Sequence, residues 1–149
     1  MKFYIINGPN LNMLGIREPA HYGKTTYADL CEMIAKHCEE KGIESVLYQS
    51  NHEGDLVDKI QEAYFEGANG IVINPGAYTH TSIALLDAVK STSLPTVEIH
   101  ISAVETREAF RQVSFIREAC IETITGEGVS GYLHAIDDLY NYLRKEREA

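Results

Sequence analysis

The sequence predicts an α/β fold in which helices cover both faces of a parallel β-sheet. Short apolar runs alternate with segments of helical periodicity along the 149 residues. The run at residues 70–73 is apolar throughout, which is typical of a strand that is covered on both faces. Strands that alternate with helices form βαβ units, and these units build parallel sheets.

Each predicted element is bounded by a turn residue or by the next element. Strands are expected at residues 2–6, 43–48, 70–73, 96–101 and 121–124. Helices are expected at about 26–41 (with Thr25 or Thr26 as N-cap), around Leu56, Ile60 and Ala63 with Gly67 closing it, at 82–89 and after Gly131, with a shorter helical stretch at about 104–111. Five such units resemble the flavodoxin-like, doubly wound sheet of order 2-1-3-4-5, formed here by one domain over residues 1–149.

Composition argues against several classes of protein. The formal net charge of −9 disfavours nucleic acid or an anionic membrane surface as a partner. No apolar run approaches the ~18 to 20 residues of a membrane span, and the N-terminus has no signal-peptide pattern, so we expect a cytoplasmic protein. Cys31, Cys38 and Cys120 have neither disulfide nor zinc spacing, which suits a reducing compartment.

The segment that follows the first predicted strand does not have the pattern of ordinary structure. Residues 7–23, NGPNLNMLGIREPAHYG, run for 17 residues without a helix or strand period and contain Asn10, Arg17 and Tyr22. Loops of this length inside a compact domain are uncommon, and they are usually functional or disordered. We interpret this one as functional.

Polar side chains follow each of the first four predicted strands. In an open parallel sheet, ligands bind outside the carboxyl ends of the strands. The residues found there are Asn10, Arg17 and Tyr22, then segments 49–54 and 74–82, and then Glu98, His100, Ser102, Arg107 and Arg111. Their convergence at one edge of the sheet predicts a functional site, and the arginines allow a small anion to bind there.

Other interpretations of these residues stay open. Glu98 and His100 alternate on one strand, so with His80 they could hold a metal ion, although no H-x-x-H or H-E-x-x-H spacing supports this. Taken singly, each residue also has a structural explanation. The segment 74–76 could be only a turn, and Arg111 could simply face solvent.

Four motifs resemble those of the type II 3-dehydroquinate dehydratases. They are N-G-P-N-L-N-M-L-G-x-R-E-P-x-x-Y-G at 7–23, Q-S-N-x-E-G at 49–54, I-N-P-G-A-Y-T-H-T-S at 73–82 and E-I-H-I-S at 98–102. The resemblance covers nearly the whole chain. It implies a hydro-lyase that converts 3-dehydroquinate to 3-dehydroshikimate and water by anti elimination through an enolate, without cofactor or metal. The reaction belongs to the shikimate pathway, which leads to chorismate and aromatic amino acids, or to quinate catabolism.

The resemblance also implies which residues carry the chemistry. The base falls on Tyr22, its activating arginine on Arg17, and the proton donor to the leaving hydroxyl on His100. Asn10 matches the residue that holds a water against the developing enolate. A free tyrosine has a pKa of about 10, and a neighbouring arginine favours the ionised form that a base requires.

Further positions match substrate-binding residues of the family. They are Asn74, His80, Arg111, the carboxylate cradle at Ile101 and Ser102, and Asp87, which reaches the site of a neighbouring subunit. The family assembles as homododecamers, tetramers of trimers. The chain departs from the family pattern at Leu86, where an arginine is usual, and at Ala103, where an asparagine is usual.

Two other functions compete with this one. A Schiff-base lyase for the same substrate needs a desolvated lysine, and no lysine of this chain lies inside an apolar strand. A flavodoxin-like binding module that has lost catalysis is the second alternative, and the joint presence of Tyr22, Arg17 and His100 speaks against it.

Overall fold

The fold is a five-stranded parallel sheet between two layers of helices. The computed structural model describes residues 1–16, 20 and 23–149. The strands are β1 (Lys2–Asn7), β2 (Glu44–Gln49), β3 (Gly70–Asn74), β4 (Thr96–His100) and β5 (Glu122–Thr125). They lie in the order β2-β1-β3-β4-β5, and every pairing is parallel. The predicted fold class and strand order are therefore confirmed.

Within the described residues, the longer helices that connect and follow the strands number four. They are α1 (Tyr27–Glu40), α2 (Glu53–Phe65), α3 (Ile83–Thr92) and α4 (Gly131–Glu148). Thr26 caps α1, because its hydroxyl accepts a bond from the backbone N–H of Asp29 while the Asp29 carboxylate accepts one from the Thr26 N–H. No helix within the described ranges is both long enough and apolar enough to cross a membrane.

Two of the predicted helical segments differ from those observed. α3 continues to Thr92 instead of ending at 89, and in this last turn the hydroxyls of Ser91 and Thr92 donate hydrogen bonds to carbonyls of the same helix. The stretch at 104–111 is not one helix but two 3₁₀ turns, Val104–Thr106 and Ala109–Arg111. Extended backbone at Arg107 interrupts the helical path between them.

The sheet separates two apolar layers, and the alternation of side chains along β1 shows this division. Phe3 and Ile5 pack with α1 and α4, whereas Tyr4 and Ile6 pack with α2 and α3. All four side chains are at most 2% exposed. Both faces of the central strands are therefore covered, and the polar residues are left to the ends of the strands.

The loops after β1 and β3 are in direct backbone contact. The two strands end in register at Asn7 and Asn74, and the Gly8 N–H donates to the Asn74 carbonyl at 2.8 Å. A Cβ on Gly8 would lie 2.5 Å from the Pro75 carbonyl oxygen, and one on Gly76 would lie 3.0 Å from that of Pro9. Gly76 also has φ of +60°, which favours glycine. Each loop thus presents a glycine to the proline of the other.

Candidate active site

A pocket of about 130 Å³ opens at the carboxyl ends of β1, β3 and β4. Seven of the ten site residues predicted from the sequence line it: Asn10, Asn74, His80, His100, Ile101, Ser102 and Arg111. They come from four separate stretches of the chain. The parallel sheet brings these stretches to one edge, as expected for the carboxyl ends of its strands.

Of the other three predicted residues, only Asp87 belongs to the described part of the chain, and it does not line this pocket. Asp87 lies exposed on α3. Arg17 and Tyr22 fall outside the described residues. Arg107, which was expected at this edge of the sheet but matched no binding residue of the family, also lines the pocket, and its guanidinium lies 3.4 Å from the Ser102 hydroxyl.

A wider depression of about 510 Å³ adjoins the pocket. The two cavities share Ile101, Ser102 and Arg107. Ala20, from the segment between β1 and α1, lines the depression. The carbonyls of Ile101 and Ser102 accept bonds from the N–H groups of Gly128 and Gly126, so the turn after β5 holds this wall in place.

His100 is held by the buried carboxylate of Glu98. The two residues alternate along β4 and therefore point to the same side, and His100 Nε2 lies 2.5 Å from Glu98 Oε2. Glu98 is fully buried and His100 is only 4% exposed. Within the described residues no group bonds to Nδ1 of His100, so this nitrogen remains for chemistry in the pocket.

Several groups besides His100 compensate the buried charge of Glu98. Its oxygens accept hydrogen bonds from the hydroxyls of Thr79, Ser114 and Thr123 and from the guanidinium of Arg117. Burial raises the pKa of Glu98, but the hydrogen bond and charge of His100, followed by those of Arg117, outweigh burial and lower the pKa to about 2. Glu98 is therefore a fixed carboxylate at neutral pH.

Hydrogen bonds also fix the orientation of two binding side chains. Asn74 Oδ1 accepts from the Gly76 N–H at 3.0 Å, so the amide nitrogen must lie on the other side. His80 Nδ1 lies 2.7 Å from the Val113 carbonyl oxygen, which can only accept. The proton is therefore on Nδ1 of His80, and Nε2 is left to face a ligand as an acceptor when the ring is neutral.

Known proteins share both this sequence and this architecture. The profile of the family described as "Dehydroquinase class II" matches residues 1–140. The chain belongs to this family. A 3-dehydroquinate dehydratase of Fusobacterium nucleatum is 52% identical over 147 residues, which cover 97% of this chain and 100% of that protein.

Two solved structures of dehydroquinases extend the comparison to three dimensions. The type II dehydroquinase from Butyrivibrio crossotus is 55% identical, with a TM-score of 0.93 over 94% of this chain and 97% of its own. That from Propionibacterium acnes is 36% identical, with a TM-score of 0.90 over 94% of this chain and 96% of its own. The resemblance noted from the sequence motifs is confirmed.

The geometry of this dehydroquinase-family chain does not favour a metal site at His80, Glu98 and His100. Among the described residues, the one group of three acidic, histidine or cysteine side chains whose ligand atoms all lie within 4.8 Å of one another is Glu122, His134 and Asp138. None of these three lines the pocket. The alternation of side chains along the strand correctly predicted that Glu98 and His100 lie side by side. Their carboxylate and imidazole, however, bond to each other directly and not through a metal ion.

Proposed function

We propose that this chain is a 3-dehydroquinate dehydratase, which converts 3-dehydroquinate to 3-dehydroshikimate and water in the shikimate pathway or in quinate catabolism. Membership of the dehydroquinase family supports the reaction. The structural observation that carries the proposal is the Glu98–His100 pair at a pocket whose lining offers amide, imidazole and guanidinium groups. Such a lining suits a small polyhydroxylated carboxylate.

The proposed chemistry needs a base, an acid and a group that supports negative charge. Tyr22, as the phenolate, removes a proton α to the ketone, and the electron pair of that C–H bond forms the enolate. Asn10 holds a water against the enolate oxygen. The enolate then expels the β-hydroxyl on the opposite face of the ring, and His100 donates the proton with which that group leaves as water. The atoms balance without an oxidant, a reductant or a cofactor.

The Glu98 carboxylate gives His100 its role. Because Nε2 is engaged by Glu98, the ring is held in one orientation and presents Nδ1 to the pocket. A carboxylate behind an imidazole also stabilises the charged form that a proton donor must adopt before it acts. Glu98 therefore positions the acid without touching the substrate.

The remaining pocket residues bind the substrate in this proposal. Asn74, His80 and Arg111 hold its oxygen atoms, while Ile101 and Ser102 cradle its carboxylate. Arg107, the second guanidinium of the lining, adds to the positive potential of the pocket. The net charge of −9 does not prevent this, because nearby cations dominate a small cavity.

Tyr22 and Arg17 are assigned from the family motif. Ala20 supports the assignment, since it lines the depression beside the pocket and is separated from Tyr22 and Arg17 by only two and three positions in the sequence. An arginine close to a tyrosine favours the phenolate and brings it towards the working pH of a general base.

The proposal includes assembly and location. We assign the chain to a homododecamer built from trimers, in which the exposed Asp87 of one subunit reaches the site of its neighbour. We assign it to the cytoplasm, in keeping with three cysteines that form no disulfide. A Schiff-base mechanism is disfavoured because none of the seven lysines, all within the described residues, lines the pocket or the depression.

A direct turnover assay tests the proposed function. Purified protein is mixed with 3-dehydroquinate, and the conjugated enone of the product is followed by its ultraviolet absorbance. Turnover should persist with EDTA, and borohydride should trap no covalent adduct. Absence of turnover would leave a binding module as the better description. Loss of turnover with EDTA, restored by zinc, would instead indicate a metal mechanism.

A further inference from the structure

A buried chain of hydrogen bonds links Asn74 in the pocket to Asn7, its neighbour in register on β1, through Tyr132. Asn74 Nδ2 donates to the Tyr132 hydroxyl at 2.9 Å, and that hydroxyl donates to Asn7 Oδ1 at 2.6 Å. Tyr132 and Asn7 have no exposed surface, and Asn74 is 4% exposed. Tyr132 comes from the first turn of α4, so a distant part of the sequence supplies the middle of the chain.

The direction of every bond in the chain follows from its first donor. The Gly76 N–H can only donate, so Asn74 must turn its oxygen to Gly76 and its nitrogen to Tyr132. The Tyr132 oxygen therefore accepts from Asn74 and must give its own proton to Asn7. Burial raises the pKa of Tyr132, so the hydroxyl keeps this proton at neutral pH.

The chain does not satisfy all of its own polar atoms. Asn7 Nδ2 is buried and has no partner at good hydrogen-bond geometry within the described residues. A partly satisfied polar network stabilises a fold less than well-packed apolar residues would. Stability alone therefore gives little reason to bury two asparagines and a tyrosine hydroxyl here, and the contact of the chain with the pocket offers another reason.

We propose that Tyr132 is a positioning residue that sets Asn74 for substrate binding. Its hydroxyl holds one N–H of the Asn74 amide and the Gly76 N–H holds the oxygen, so the second N–H of Nδ2 is the donor that remains for a substrate oxygen. This inference rests on the proposed substrate-binding role of Asn74. Tyr132 touches no substrate and acts through Asn74.

A double-mutant cycle in kcat/KM tests the inference. Tyr132→Phe removes the acceptor of the Asn74 N–H, and we expect kcat/KM to fall about three- to tenfold, the range for one neutral hydrogen bond, mainly through a higher KM. In the Asn74→Ala background the same substitution should change kcat/KM by less than about twofold, because its only route to the substrate has gone. Equal losses in the two backgrounds would overturn the inference.

A matched control separates positioning from general destabilisation. Tyr4 is also buried, and its hydroxyl donates to Glu62 at 2.8 Å on the opposite side of the sheet, so Tyr4→Phe should lower the melting temperature without changing KM. If Tyr132→Phe does not fold, Asn7→Ala breaks the same chain from its other end, and its loss in kcat/KM should likewise vanish in the Asn74→Ala background. Persistence of that loss counts against the inference.

The proposed function and the inference fail in different ways. If Asn74→Ala leaves kcat/KM unchanged, Asn74 does not bind substrate, and the inference falls with that role. If Asn74→Ala is damaging while Tyr132→Phe retains the parent KM and kcat, Asn74 keeps its role and only the inference about Tyr132 is wrong.

Discussion

Glu98 Oε2 lies 2.5 Å from His100 Nε2, and both side chains are buried beneath the pocket. The contact leaves a single ring nitrogen of His100 for the substrate. Because further hydrogen bonds to hydroxyls and to Arg117 hold the carboxylate, the imidazole is fixed by a rigid partner. The acid of the proposed reaction is therefore oriented before the substrate arrives.

Glu98→Gln should lower kcat by about tenfold or more, since the amide can neither stabilise a charged imidazole nor ensure an acceptor at Nε2. Steady-state kinetics of the enone-forming reaction measure the effect. The control is Glu62→Gln, which alters a carboxylate that is bonded to Tyr4, does not line the pocket, and should leave kcat unchanged. An unchanged kcat for Glu98→Gln would show that Glu98 does not position the acid.

Glu98 should also contribute to stability in a pH-dependent way. Its pKa is about 2 in the folded chain against an ordinary value of 4.5, so its contribution is complete above pH 4.5 and is lost as the pH falls towards 2. The difference in unfolding free energy between the parent and Glu98→Gln should therefore shrink by about 2 kcal/mol between pH 6 and pH 3. Urea unfolding at the two pH values measures it, and a gap that widens on acidification would contradict the assignment.

Tyr22→Phe should reduce kcat by about 10²- to 10⁴-fold, because it removes the proton-accepting oxygen of the proposed base and changes little volume. Circular dichroism should show an unchanged fold. Tyr142→Phe, at a half-exposed position of α4, serves as the matched substitution and should retain full activity. A Tyr22→Phe rate within a few-fold of the parent would remove Tyr22 from the mechanism.

Asp87→Ala should lower kcat/KM if each active site is completed by a neighbouring subunit. Asp58→Ala, at an exposed position of α2, should have no effect. Light scattering at assay concentration should give a particle about twelve times the 16.7 kDa chain. A fully active monomer would disprove both the shared site and the assembly.

The sequence predicted the layers, the strand order and most of the pocket because these depend on local patterns. Periods of two and 3.6 residues are visible in short windows, and the carboxyl ends of parallel strands must share an edge. Position on that edge was enough to bring Asn10, Asn74 and His100 together. The prediction of one helical stretch at 104–111 was wrong. The charged residues of this segment suit a helix, but the backbone at Arg107 is extended.

The interactions that orient the site residues could not be read from the same patterns. Helical periodicity shows that Tyr132 is buried, but not that its hydroxyl bonds to Asn7, 125 positions earlier, and to Asn74, 58 positions earlier. Arg117 lies in a short 3₁₀ turn (Ile116–Ala119) between β4 and β5, and no local pattern indicates that it reaches Glu98. Such contacts depend on the packed chain as a whole.

Gly8 packs against Pro75, and Gly76 packs against Pro9. Because of these reciprocal contacts, the sequences of the two loops must be compatible with each other. A recombination point between them would join a loop from one parent to a loop from another. The hybrid folds only where both parents keep glycine at both positions, since a methyl group at Gly8 would fall 2.5 Å from a carbonyl oxygen. Gene shuffling among relatives should therefore recover crossovers freely within α4 and rarely between these loops in parents that differ there.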